Sequence, residues 1–233
     1  MAKVKQEKSG LNIIESADAL KHELDIAESF LKKNQKLLTI IGGVIIAAVL
    51  GVIGYNYYTK SQDTDAQAAM YQAVFAFEKD SLNTALKGDG ANEGLLGIAE
   101  NYGGSDGGKL ANFMAGVALL KQGKFDDAIE HLKSFSSTDM LVQGRAYCLI
   151  GDAYLEKKNT EDAISYYRKA ADYKPNKFFT PGYLMKLATA QEAAKDNKAA
   201  LETYKNIIAE YPESQETVTA KKFKAKLDGI VGE

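Results

Sequence analysis

The sequence predicts an all-α protein in which a single membrane-spanning helix precedes an array of stacked helical repeats. Residues 37–59 contain no charged side chain, and this run matches the roughly 20 apolar residues that a helix needs to cross a bilayer. After the run, helix-forming residues dominate, only three prolines occur, and no alternating β-branched segment indicates a sheet. A pattern of small and aromatic residues then recurs at an offset of about 35 residues, which indicates repeats.

Basic residues are distributed unequally about the apolar run, and this distribution predicts its orientation. Lys32, Lys33 and Lys36 precede the run, whereas Lys60 is the only basic residue after it until Lys79. Lysine and arginine close to a membrane-spanning helix are retained in the cytoplasm. We therefore expect a cytoplasmic N-terminus and export of everything that follows the run.

The run is expected to remain as an anchor. A cleaved signal peptide has an apolar region of only about 7 to 15 residues, followed by a small-residue cleavage site. Here the run ends instead in aromatic residues, which favour the headgroup layer. Gly43, Ala47 and Gly51 form a ridge of small residues at four-residue spacing, which predicts a contact face for another membrane helix.

Three segments of the exported part share one pattern of small, aromatic and proline residues. Its members are Gly116, Gly151 and Ala188 in the first helices, Ala128, Ala163 and Ala200 in the second, the larger Leu132, Tyr167 and Tyr204, and the closing Pro175 and Pro212. Small residues allow the paired helices to approach closely, and proline cannot continue a helix. The pattern resembles the tetratricopeptide repeat, a helix-turn-helix unit of about 34 residues.

These observations predict five parts of the chain. They are a cytoplasmic tail with an amphipathic helix (1–36), the transmembrane anchor (37–59), a degenerate first helix pair (60–108, with helices near 64–78 and 92–102), three tetratricopeptide repeats (109–214) and a capping helix (215–233). Solenoids end in such caps because their terminal units would otherwise expose apolar surface.

Apolar residues of the tail recur at alternating steps of four and three. They are Ile13, Ala17, Leu20, Leu24, Ala27 and Leu31. This spacing predicts an amphipathic helix, and it leaves two interpretations open. The helix either lies on the membrane surface or in solvent, or it offers a coiled-coil-like seam to a partner.

The composition excludes several classes of function. The 29 basic and 31 acidic residues give no basic surface for nucleic acid. The anchor places His22 and His131 on opposite sides of the membrane, and Cys148, in an apolar segment, is expected to be buried and unreactive. We therefore expect no enzyme, no metal, no cofactor and no small-molecule substrate.

Residues 103–109 match the spacing G-x-x-x-x-G-K of a phosphate-binding loop. The next residue is Leu110, where such a loop needs serine or threonine to hold magnesium, and no buried strand precedes it. We interpret the segment as a turn between helices.

The first helices of the repeats should line the concave face of the solenoid. By alignment this face includes Leu110, Phe113, Met114, Val117 and Leu120 in one repeat, Arg145, Cys148, Leu149, Asp152 and Leu155 in the next, and Met185, Lys186, Thr189 and Glu192 in the third. A groove that is apolar at one end suits hydrophobic segments of a partner. Alternatively, Phe113 and Met114 pack against the upstream helix pair. A basic clamp for a C-terminal carboxylate is not supported, because Arg145 alone matches it.

The order of parts resembles a known family. The segments that carry this resemblance are Ser29-Phe30-Leu31-Lys32-Lys33-Asn34-Gln35-Lys36-Leu37, the anchor ending Gly54-Tyr55-Asn56-Tyr57-Tyr58, and Asp65-Ala66-Gln67-Ala68-Ala69-Met70-Tyr71-Gln72-Ala73. In this layout the chain is similar to YfgM-type ancillary subunits of the bacterial Sec translocon.

The resemblance implies a non-enzymatic inner-membrane scaffold with periplasmic repeats. It further implies that these repeats work beside the SecYEG channel with a periplasmic chaperone or foldase and receive exported polypeptides. The alternative is an envelope scaffold of another secretion or outer-membrane assembly machine.

Overall fold

The computed structural model describes residues 17–231, and α-helices are the regular elements of that range. In chain order they are α1 (Ala17–Lys33), α2 (Gln35–Glu78), α3 (Leu82–Lys87), α4 (Leu95–Tyr102), α5 (Asp106–Lys121), α6 (Phe125–Ser134), α7 (Met140–Glu156), α8 (Thr160–Asp172), α9 (Thr180–Ala193), α10 (Asn197–Glu210) and α11 (Glu216–Val231). Ile13 of the predicted tail helix and the ends of the predicted tail and cap lie outside the described residues. The predicted fold class, an all-α solenoid preceded by one long apolar helix, is confirmed.

The chain forms two compact units, Met1–Tyr58 and Thr59–Glu233. In the first unit, α1 and the apolar part of α2 expose large apolar side chains such as Leu24 and Val44. Among the described helices, α2 is long and apolar enough to cross a membrane, and none of its most apolar stretch is buried by protein. These properties are compatible with a single-pass membrane protein.

Helix α2 does not stop where the apolar run ends. Although the spacing predicted an anchor and a separate repeat helix, the chain continues as one helix to Glu78. No glycine or proline occurs between Gly54 and Glu78, so nothing in the backbone favours a break. The short helix α3 was also not predicted. It fills the connection between α2 and α4, the two helices of the degenerate pair.

The second unit contains three helical hairpins, α5 with α6, α7 with α8, and α9 with α10. Small residues set the distance between the paired helices. A Cβ atom added to Gly116 would lie 2.6 Å from Leu132 Cγ, and one added to Gly151 would lie 2.7 Å from ring carbons of Tyr167. Both distances are shorter than van der Waals contact, so the helices pack this closely only because these positions carry glycine.

The three hairpins turn in the same way. Gly123, Lys158 and Lys195 follow the first helices, and each has a left-handed backbone with φ of +73°, +60° and +64°. A left-handed residue is a common way to end a helix, because it lets the following amides reach the last free carbonyls. The repeats therefore share their turn geometry as well as their side-chain pattern.

The glycine-rich segment before α5 is a packed helix start. Ser105 caps α5 by accepting a hydrogen bond from the Gly108 amide, and the Gly107 amide donates to Asp63 Oδ1 at 2.6 Å. A Cβ atom at Gly108 would lie 1.8 Å from the Tyr102 carbonyl oxygen. Because the Asp63 carboxylate already lies at this helix N-terminus, a phosphate there would meet negative charge.

Candidate protein-binding groove

A groove of about 670 Å³ runs across the first helices of the three repeats. Its lining residues come from α5, α7 and α9, from the turn before α6, and from the second helices α6 and α8. They are Leu120, Lys121, Gly123, Phe125, Asp152, Leu155, Glu156, Tyr167, Met185, Lys186 and Thr189. The groove therefore combines apolar side chains from every repeat with a polar group that joins the second and third repeats.

The polar group is the Asp152 carboxylate of α7. Lys186 of the next repeat donates to both of its oxygens at 2.6 and 2.8 Å, and the Tyr167 hydroxyl donates to Oδ1 at 2.7 Å. Burial, and next the bond to Asp152, raise the pKa of Tyr167 far above its usual range, so the phenol is a neutral donor near pH 7. The three residues join α7, α8 and α9 within the lining of the groove.

The same arrangement recurs one repeat later. The Tyr204 hydroxyl donates to Glu192 Oε1 at 2.6 Å, and Lys226 of α11 lies 3.4 Å from Glu192 Oε2. Tyr204 is fully buried, and its pKa is also raised, first by burial and then by the bond to Glu192. In both cases an acid on a first helix accepts from its own repeat's tyrosine and from a lysine on a later helix.

The structure brings some of the predicted groove residues together and separates others. Leu120, Asp152, Met185, Lys186 and Thr189 line the groove. Phe113, Val117 and Leu149 instead pack with Ile129 and Leu132 in the core between the first two repeats, and Met114 packs against the upstream core. Leu110 lies in a separate depression beside Phe135 and Val142. Arg145 is exposed and does not line the groove.

Reasoning from the sequence missed Phe125, Glu156 and the hydroxyl of Tyr167. The repeat pattern identified Tyr167 only as one of its larger residues. One signal was available, because Asp152 and Lys186 are opposite charges separated by 34 residues, which is about the length of one repeat. Such a pair on successive first helices predicts an ion pair across the repeat boundary.

The remaining reactive side chains are held in structural roles. Burial raises the pKa of the Cys148 thiol to about 12, which makes it a poor nucleophile at neutral pH. His131 Nδ1 lies 2.9 Å from the Asn112 side-chain oxygen. Within residues 17–231, no group of three or more histidine, cysteine, aspartate or glutamate side chains is arranged to hold a metal ion.

Helical hairpins that stack around a shared groove define an α-solenoid, a class of protein whose repeats bind other proteins. Comparison with known families identifies the repeat type. Residues 113–177 and 183–214 match models of the tetratricopeptide repeat, and residues 28–139 match a model of the tetratricopeptide repeat-like domain. The chain thus carries tetratricopeptide repeats.

Comparison with solved structures agrees with this fold. The chain is similar to one described as the crystal structure of MamA protein, with a TM-score of 0.51 and 19% identity over 72% of this chain and 86% of that one. At this identity the likeness shows the fold alone. The comparison with curated proteins gives no match.

Proposed function

We propose that the chain is a non-enzymatic, membrane-anchored scaffold whose groove binds apolar segments of exported polypeptides. The observation that carries the proposal is the groove itself, in which the apolar side chains of Leu120, Phe125, Leu155 and Met185 line the same surface as the Asp152 carboxylate. Methionine adapts to differently shaped apolar side chains, and the ion pair of Asp152 and Lys186 offers hydrogen bonds to a bound backbone. Such a surface favours varied unfolded segments over one fixed ligand.

The proposed location is the bacterial inner membrane beside the SecYEG translocon. The lysines before the anchor favour a cytoplasmic N-terminus and periplasmic repeats, and residues 29–73 carry the resemblance to translocon subunits. The proposed partners are SecYEG, a periplasmic chaperone or foldase, and exported polypeptides.

The anchor is proposed to contact a partner's membrane helix through Gly43, Ala47 and Gly51. A Cβ atom added to Gly43 or Gly51 meets nothing within 4 Å in the described structure, so the glycines do not serve internal packing. Small residues at four-residue spacing allow two membrane helices to approach closely.

Purification in mild detergent followed by mass spectrometry tests the proposed location. We expect Sec subunits or a periplasmic foldase to co-purify with the wild-type chain, and less of both with Gly43→Leu/Gly51→Leu. Val44→Leu/Val52→Leu is the matched control and should recover the wild-type amount. Repeated recovery of an outer-membrane assembly or another secretion machine, with neither expected partner, would overturn this location.

A further inference from the structure

A second depression lies apart from the groove, between the connection that precedes α9 and the connection that precedes α11. It has a volume of about 520 Å³ and shares no lining residue with the groove. We name it the Phe178 surface and define it by Phe178, Tyr211, Pro212, Glu210, Glu213 and Glu216. Its volume lies in the range of about 300 to 1,000 Å³ that is typical of concave binding sites.

Phe178 is an exposed aromatic side chain on a fixed backbone. Its side chain is 77% exposed, although the chain around it is held by hydrogen bonds. Asn176 Oδ1 accepts from the amides of Phe178 and Phe179 at 3.1 and 2.9 Å, and the Asn176 amide donates to Thr180 Oγ1 at 2.8 Å. An exposed aromatic side chain that lines a depression and stands on a backbone held by hydrogen bonds can serve as an aromatic anchor for a partner.

The rim of the depression is acidic. Glu210, Glu213 and Glu216 form no ion pair within 4 Å in the described part of the chain. Lys177 is the single basic lining residue, and its ammonium lies 5.9 Å from the centre of the Phe178 ring. The lining thus carries three carboxylates and one ammonium. This excess of negative charge attracts cationic groups and disfavours an anionic lipid surface.

We propose that the Phe178 surface binds an extended peptide segment of a partner protein in which lysine or arginine alternates with bulky apolar side chains. The apolar side chains of the segment pack against Phe178, Tyr211 and Pro212, and its basic side chains pair with the three glutamates. This interaction is independent of the one proposed for the groove.

Fluorescence anisotropy on the full chain in nanodiscs of zwitterionic lipid tests this assignment. The probe is a short synthetic peptide that alternates lysine with leucine and phenylalanine. Two comparison peptides replace either the lysines by glutamates or the apolar residues by serines. We expect the probe to bind and both comparison peptides to bind at least about tenfold more weakly.

Variants of the surface locate the binding. Phe178→Ala should weaken probe binding about tenfold, whereas Phe75→Ala, at another exposed phenylalanine, should leave it unchanged. Glu210→Gln/Glu213→Gln/Glu216→Gln should weaken it by a similar factor at about 0.05 M salt and far less at about 0.5 M, because salt screens exposed charge pairs. Glu161→Gln, at an exposed site on α8, is the charge control.

The groove variant Thr189→Glu separates this proposal from the preceding one. We expect it to leave probe binding unchanged, since Thr189 does not line the Phe178 surface. If Phe178→Ala binds the probe as tightly as wild type, or if the glutamate-containing peptide binds equally well, the Phe178 surface is not the site. Loss of binding only in Thr189→Glu would assign the peptide to the groove and would overturn this proposal alone.

Discussion

At the scale of single residues, the packing of each hairpin depends on positions where no side chain fits. Gly151 illustrates this, because the buried Tyr167 ring occupies the space that its Cβ would need. The Tyr167 ring has little freedom to move, since its hydroxyl is bonded to Asp152. Helix propensity alone would favour alanine at Gly151, so tertiary packing decides the residue type there.

Gly151→Ala is predicted to destabilise the protein. Alanine gains up to about 1 kcal/mol in helix propensity, but forcing a methyl group against the Tyr167 ring costs about 1 to 3 kcal/mol. The free energy of unfolding, measured by urea denaturation in detergent, should fall by about 1 kcal/mol. Gly229→Ala is the control, because a Cβ atom there meets nothing within 4 Å. An equal effect of both variants would show that the close contact is unimportant.

Tyr167→Phe is predicted to change how stability depends on pH. Because the pKa of Tyr167 is raised by folding, its contribution is fully present below the unfolded pKa of about 10 and is lost as pH rises above it. At pH 8 the variant should lose about 1 kcal/mol of unfolding free energy, the usual value of one hydrogen bond. Above about pH 10, ionisation of Tyr167 lowers the unfolding free energy of wild type by about 1.4 kcal/mol per pH unit. The difference in unfolding free energy between wild type and Tyr167→Phe should therefore shrink.

Urea denaturation between pH 8 and 11 measures this effect. Tyr71→Phe, at an exposed position, should leave the stability at pH 8 unchanged. A difference between wild type and Tyr167→Phe that stays constant across this range would contradict the assigned role of the hydroxyl.

At the scale of elements, the first amides of α5 donate hydrogen bonds to two side chains from different parts of the chain. Ser105 supplies the local cap and Asp63 of α2 supplies a second acceptor. The bond to Asp63 joins two residues that are 44 positions apart in the sequence. It fixes the degenerate helix pair against the first complete repeat.

Asp63→Ala is predicted to loosen this junction. The variant loses a hydrogen bond to a charged acceptor and a favourable interaction with the helix dipole, together about 1 to 3 kcal/mol. Hydrogen exchange in detergent should become faster at the start of α5 and leave α9 to α11 unchanged. Asp65→Ala removes an exposed carboxylate two residues away and should have no such effect. Equal exchange in both variants would show that the Asp63 bond does not hold α5.

The element scale also shows what the sequence could and could not predict. Recurring small and aromatic residues were sufficient to predict the three hairpins, since close helix packing allows few residue types at Gly116 or Gly151. The continuous course of α2 was missed because its composition changes at residue 60 while its helical backbone does not. The short α3 lacks enough residues to show any periodicity.

The groove was predicted in part for a similar reason. Alignment finds residues on the first helices, such as Met185 and Lys186, because the repeat fixes which face they occupy. It does not find Phe125 or the Tyr167 hydroxyl, which reach the groove from the second helices. Their contribution depends on side-chain direction, which residue spacing does not reveal.

At the scale of the whole molecule, a long apolar helix precedes repeats that carry two separate surfaces. The groove combines adaptable apolar side chains with an ion pair, and the Phe178 surface combines an exposed aromatic side chain with acids that form no ion pair within the described residues. Because the two surfaces differ in chemistry, we expect the groove to bind varied apolar segments and the Phe178 surface to bind a basic segment.

Binding of an unfolded protein to the groove tests the central claim most directly. The full chain in zwitterionic nanodiscs is titrated with fluorescently labelled, reduced and carboxymethylated α-lactalbumin. Thr189→Glu introduces a charge into the groove from an exposed position, and Thr219→Glu adds the same charge at an exposed position on α11. We expect wild type and Thr219→Glu to bind alike and Thr189→Glu to bind at least about tenfold more weakly. Equal binding by Thr189→Glu and Thr219→Glu, or no binding by wild type, would contradict the central claim.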